Sequence, residues 1–188
     1  MWWPDKALNK RRFARLAAVF AVASLCAGCF QPLYGTNSAV NGAAVKAQLS
    51  AVEVLPIEAP NGTPIARVAN EVRNALIFDL TGGHGAGAPT HQLKINMNGS
   101  RQQVIVDITT ARPDVENYAI DATYSLTELA TKRVVVTGRT FSRVTYDVPG
   151  QQQRFARARG LRYAEDRASQ VISDQIKQRL ASYFLAGT

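Results

Sequence analysis

Alternation is the strongest signal in this chain. Tyr118, Ile120, Ala122, Tyr124 and Leu126 are separated by Asp121, Thr123, Ser125 and Thr127. A period of two predicts a strand with one buried face. Leu93, Ile95 and Met97 alternate with Lys94, Asn96 and Asn98 in the same way. That strand is predicted to run on through Val104 and Val106, with Gly99 as a bulge or bend. Val134 to Tyr146 reads as the hairpin partner of the Tyr118 strand. Ala130-Thr-Lys132 forms its turn, Gly138 a bulge and Pro149-Gly150 its end. Val52 to Ile57 is a short first strand, with Pro56 at its end or on a sheet edge. Residues 107–116, with Arg112-Pro-Asp114, are expected as a loop.

Two stretches follow the helical period instead. Ile65, Val68, Ala69, Val72 and Leu76 fall at i, i+3, i+4, i+7 and i+11, one face of a helix. Thr63 is placed to cap it and Pro64 to occupy its first position. Gly82-Gly83 stops it, and a flexible loop runs on to Pro89. A longer closing helix has an apolar stripe of Phe155, Leu161, Ala164, Ala168, Val171, Ile172, Ile176, Leu180 and Tyr183. Gly160 divides a frayed first turn from its body. Arg157, Arg159, Arg162, Arg167 and Arg179 lie on the other positions, where long basic side chains ordinarily cover a solvated face. The resulting order is β-α-β-β-β-α. Its simplest packing is α+β: a two-layer sandwich with two helices on one face of a roughly four-stranded mixed sheet, in a single domain over residues 49–188.

The N-terminus follows neither period. Lys6, Lys10, Arg11, Arg12 and Arg15 precede the apolar run from Leu16 to Leu25, and Ala27-Gly28 lead into Cys29. A basic region, about ten apolar residues and a small-residue exit make an export signal. The run is shorter than the ~20 residues that a spanning helix needs. A Cys directly after small residues marks a lipoprotein signal. Residues 1–28 would be removed and Cys29 would carry the lipid, with palmitate-type chains each adding about 0.8 kcal/mol of membrane affinity per buried CH₂. Cys26 is a poorer site, because Leu25 precedes it. Arg11-Arg12 raises twin-arginine export, but the flanking residues match it poorly. Residues 29–48, with Pro32, Gly35, Asn37 and Gly42, read as a lipidated N-terminus and tether.

Removing the signal changes the charge. It takes five of the 22 bases and one of the 14 acids, leaving 17 and 13, so the full-chain +8 falls to +4. That balance, with no aromatic-basic RNA motif or zinc-finger spacing, gives no ground for nucleic-acid binding. Cys26 and Cys29 are the only cysteines, so the mature chain has no disulfide to form. His84 and His91 lie in or beside a Gly-rich loop without ligands at metal spacing, so no metal or other cofactor is expected. Gly82-Gly-His-Gly-Ala-Gly87 lacks the Gly-Lys-Ser/Thr of a P-loop, and no nucleophile elbow is present. A binding or structural protein is expected rather than an enzyme.

Cys29-Phe-Gln-Pro-Leu-Tyr-Gly35 resembles the start of the mature LptE lipoproteins of lipopolysaccharide (LPS) assembly, of the alphaproteobacterial type. The element order and the ending Arg179-Leu-Ala-Ser-Tyr-Phe184 fit that family too; the Gly that often follows the family's Cys is missing here. The resemblance implies an anchor in the periplasmic leaflet of the outer membrane, an LptD-like β-barrel as partner and plug site, and binding of LPS. Phosphates of such a glycolipid suit clustered cations. By charge and placement, Lys132 and Arg133 at the hairpin turn, Arg139 and Arg143 on one strand face, and Arg101 on the preceding strand are the candidates. The alternative is an envelope lipoprotein that acts as a scaffold or adaptor without LPS contact.

Overall fold

The computed structural model describes residues 42–107, 112–148 and 154–186. The signal, Cys29, the Phe30–Gly35 motif, most of the proposed tether and Pro149-Gly150 lie outside them. Seven elements follow one another: α1 (Gly42–Ser50), β1 (Val52–Val54), α2 (Pro64–Thr81), β2 (His91–Asp107), β3 (Arg112–Glu128), β4 (Val134–Asp147) and α3 (Arg154–Ala186). The sheet order is β1-β2-β3-β4. β1 runs parallel to β2, and the two other pairings are antiparallel. Parallel neighbours need a crossover, and α2 supplies it; antiparallel neighbours need only turns. The fold is therefore an α+β arrangement with a mixed open sheet, as the two hydrophobic periods required.

α2 packs on β1 and β2, α3 packs on β4 and β3, and the helices meet each other. Leu93, Ile95, Ile120, Ala122 and Leu126 are fully buried beneath Val68, Val72 and Leu76 of α2 and Ala168, Ile172, Ile176 and Leu180 of α3. The opposite sheet face carries the polar alternates, among them Asn96, Asn98, Thr123, Arg139 and Arg143, all exposed. Ala44–Thr188 forms one compact unit.

Thr63 stands at the N-cap of α2 in extended backbone, but its hydroxyl donates to the Pro60 carbonyl at 2.5 Å instead of capping the helix. Gly82 takes the left-handed conformation (φ 71°) and its N–H donates to the Phe78 carbonyl at 2.8 Å. This is the stop that a Cβ would disfavour.

Several elements depart from the expectation. Residues 42–48, expected as tether, are helical, and Val45 and Leu49 of α1 join the core. Residues 112–116, expected as loop, belong to β3, with Pro113 paired to Val106 near the end of the ladder. Neither glycine thought to be a bulge is one. Gly99 pairs in register with Ile120, and the irregularity lies between Gln103 and Val106. A Cβ at Gly99 would stand 2.9 Å from the Tyr118 hydroxyl. Gly138 pairs in register with Tyr124, and a Cβ there would stand 2.4 Å from that ring's hydroxyl. Both glycines make room for a tyrosine. The break in the β3–β4 ladder lies instead at Leu126/Thr127, next to the turn. α3 runs unbroken through Gly160, and Phe155, expected on its buried stripe, is 86% exposed.

Candidate functional site

The sheet separates the candidate cations into three places. Lys132 and Arg133 sit at the β3–β4 turn, both exposed. Arg139 and Arg143 share the helix-free face of β4. Arg101 is on the helix side of β2, opposite Tyr118 in register and toward the far end of the sheet. At about 3.4 Å per residue, Arg143 is some 30 Å along the strand from Arg133. The five residues are thus not one site. Cys29, the lipidation candidate, lies outside the described residues.

The turn is held firmly. Glu128 N–H donates to the Arg133 carbonyl and Leu129 N–H to the Thr90 carbonyl, both at 2.9 Å. The Thr131 hydroxyl donates to Glu128 Oε2 at 2.6 Å. Lys132 has φ 56°, a left-handed conformation that costs a non-glycine residue about 1 kcal/mol. Beside the turn, a groove of about 450 Å³ is lined by Glu128, Thr131, Arg133, Val134, Val135 and Tyr183. Val134 is 56% exposed, so the groove sets a guanidinium beside apolar surface. The His91 ring meets Phe184 edge-on at 5.2 Å at the same end of the sheet. Burial lowers the His91 pKa, against the pull of the Glu128 carboxylate.

Two charged clusters on the helix side were not anticipated. Arg67 of α2 binds Glu71 on its own helix and Glu165 of α3, and its Nη1 donates to Asp166 Oδ1 at 3.2 Å. Burial alone would lower the Arg67 pKa, but the hydrogen bonds and charges of Asp166 and Glu165 hold it above the ordinary value. Burial raises the Glu71 pKa, and the neighbouring Asp166 and Glu165 add to this against Arg67. Tyr118 nearby is pushed up to about 12, chiefly by burial and then by the Glu165 charge. At the far end of the sheet, Glu116 accepts from the Tyr146 hydroxyl and from Arg157 Nη2, the latter at 3.1 Å. Tyr146 is pushed up to about 12 by burial and by this hydrogen bond. These clusters fasten α2 to α3 and β3 to α3. Most of their charged atoms have the hydrogen bonds that buried charges require; Glu71 Oε2 has none.

The helix-free face holds one anomaly. Phe141 is 67% exposed and stands between Arg139 and Arg143 on a mostly polar face. The sequence carried that signal, since Phe141 occupies a polar phase of the β4 alternation. Arg139 pairs with Asp121 at 2.9 Å. Among the described residues no group of three or more His, Cys, Asp or Glu could hold a metal ion, and no helix is long and apolar enough to cross a membrane.

An α+β sandwich with a helix-free polar sheet face and a cationic hairpin tip is the arrangement these residues build. No protein-family profile and no curated protein sequence matches the chain. Solved structures do share its fold. A chain described as a lipoprotein of Caulobacter crescentus superposes with a TM-score of 0.61 at 18% identity, over 77% of this chain and 98% of that one. Rare lipoprotein B of Shewanella oneidensis gives 0.51 at 12% identity, over 72% and 96%. Lipoprotein B of Nitrosomonas europaea gives 0.52 at 13% identity, over 73% and 90%. The chain thus has a fold found in bacterial lipoproteins.

Proposed function

We propose that the chain is an outer-membrane lipoprotein that partners and plugs an LptD-like β-barrel and helps to place lipopolysaccharide in the outer leaflet. Its role is binding and structural, without catalysis. The observation that carries the reading is the helix-free sheet face. Three long strands expose Asn96, Asn98, Thr123, Arg139 and Arg143 there, and no helix among the described residues packs on that face. The inner wall of a large barrel is polar, so a mostly polar sheet face can rest against it, with Phe141 the one large exposed apolar side chain between Arg139 and Arg143 to be accommodated. The lipoprotein signal ending at Cys29 and the Phe30–Gly35 motif support the anchor and the family. The sharing of the fold with bacterial lipoproteins agrees with them.

LPS is assigned to the hairpin tip. The groove beside Arg133 sets a cation next to Val134 and Tyr183, and an amphiphile with phosphates near acyl chains offers the complementary pair. The test is purification of the anchored protein in mild detergent with mass identification of what accompanies it. A large β-barrel is expected. LPS affinity is then compared with that of a Lys132→Glu/Arg133→Glu variant, where each lost charged hydrogen bond should cost roughly 1.5–3 kcal/mol. Recovery without a barrel would leave the chain an envelope scaffold. Unchanged LPS affinity would remove the tip from the mechanism.

A further inference from the structure

Among the described residues, the second edge of the sheet has no partner. β4 is the last strand in the order and pairs only with β3. Among the described residues, no backbone hydrogen bond outside that ladder involves Val134–Asp147. Half of its N–H and C=O groups therefore point away from the sheet. Such an edge is a template for another strand unless it is short, broken or guarded. β1, the opposite edge, has three residues. β4 has 14, and its register runs without a break from Val136 to Asp147. No proline interrupts it.

Alongside this edge lies a groove of about 410 Å³ between β4 and α3. Phe141, Val144 and Val171 give it apolar wall, and Arg143 and Arg167 give it charge. One arginine comes from the strand and the other from the helix beneath it. Neither makes an ion pair among the described residues, and no acid lines the groove. A strand added about 4.8 Å outside β4 would turn one set of alternate side chains toward Arg167 on the helix side and the other toward Arg143 on the helix-free face.

We propose that the edge of β4 accepts an extended, acidic strand of a partner polypeptide, with backbone pairing along Val136–Asp147 and carboxylates on Arg143 and Arg167. Strand addition draws affinity from main-chain hydrogen bonds and specificity from pockets for alternate side chains, and this edge offers both. A second copy of the chain fits poorly. An antiparallel pairing centred on Phe141 would set Arg139 of each copy opposite Arg143 of the other, and like charges across a ladder repel. The inference rests on the barrel reading for the owner of the strand, and on the groove and edge for the mode.

The probe is the peptide acetyl-Thr-Val-Val-Glu-Asp-Val-Thr-amide, whose adjacent acids point to opposite faces of an extended strand, titrated into isotope-labelled chain from residue 29 on. Amide shifts and slowed hydrogen exchange should appear in β4 and around Arg167 and stay absent from β1. Lys in place of both acids should weaken binding at least about tenfold, as should N-methylation along the peptide edge facing β4. N-methylation along the other edge should change little. Arg143→Glu/Arg167→Glu should reverse the preference toward the Lys peptide. Three results overturn the proposal: no β4 response at millimolar peptide, equal binding of both N-methylated peptides, or displacement by inorganic phosphate with the same shifts, which would mean an anion pocket only. In the purified complex, a photo-crosslinking residue at position 141 should join the barrel. A barrel that co-purifies but never crosslinks there overturns the strand and leaves the partner. A peptide response without any barrel does the reverse.

Discussion

Arg67 and Arg143 bear the same guanidinium in opposite circumstances. Arg67 lies in the α2–α3 seam against three carboxylates, one of them on Glu165, whose side chain is 4% exposed. Arg143 lies on the rim of β4, in a groove lined by no acid and without an ion pair among the described residues. In the seam one guanidinium serves three carboxylates, so removing Arg67 leaves the buried Glu165 unpaired. At the rim the charge is solvated, so removing it takes little from the fold and whatever it binds from the function. A count of basic residues cannot tell these cases apart. Burial of the partner can.

The comparison is tested most strongly by Arg67→Ala. Loss of one partner of a buried pair costs about 3–5 kcal/mol. Arg67 is itself 37% exposed, which discounts the figure for solvent screening to about 2–3 kcal/mol. Urea unfolding of the variant should show that loss, and a loss below about 1 kcal/mol would mean that the seam is no clamp. Tyr146→Phe comes next. It removes the hydroxyl that Glu116 accepts from and leaves a carboxylate oxygen short of a donor, at about 1–2 kcal/mol. Thermal unfolding at constant pH reads it.

How far the sequence disclosed these regions follows from the range of the interactions. The β2, β3 and β4 alternations and the α2 stripe were legible, because a buried face imposes its period on neighbouring residues. α1 was not, since only Val45 and Leu49 mark its buried side. The apolar stripe read from the sequence of α3 includes Phe155, yet nine residues separate it from Ala164. At 100° per residue that is the opposite face. A strand glycine such as Gly99 or Gly138 signals either a bulge or close approach. Only the register, which sets Tyr124 opposite Gly138, decides between them. The seam joins residues 98 positions apart, beyond any local pattern. The turn cations were placed correctly at the tip, but Arg101 was grouped with residues on the other side of the sheet.

A smaller effect sharpens the seam by pH. Burial raises the Glu71 pKa, and its Oε2 has no hydrogen-bond partner. The folded chain therefore holds the Glu71 proton above the unfolded value of about 4.3. Across the window from there up to the folded value, the folded state binds more protons, so this group's contribution to stability falls as pH rises and levels off above. Glu71→Gln should abolish that fall, with a gain of under about 1 kcal/mol at neutral pH for a group so partly exposed. His91 works in the other direction. Its folded pKa is lowered by burial, so its contribution is lost as pH drops below about 6.5. Unfolding profiles of the unaltered chain, Glu71→Gln and His91→Gln across pH separate the two slopes.

The smallest effects belong to the rim. Arg139 is 71% exposed and its partner Asp121 50%, so their attraction is screened by water and salt. Arg139→Ala should change stability within about 0.5–1 kcal/mol, and a double-mutant cycle with Asp121→Ala should give a coupling of a few tenths. Arg143→Ala should fall within about 0.5 kcal/mol, since it removes no pair. If Arg143 instead proved as costly as Arg67, the rim would be part of the fold's own support rather than a surface kept for a partner. A near-silent stability change, together with a weakened response to the acidic peptide, is the outcome that keeps the two regions distinct.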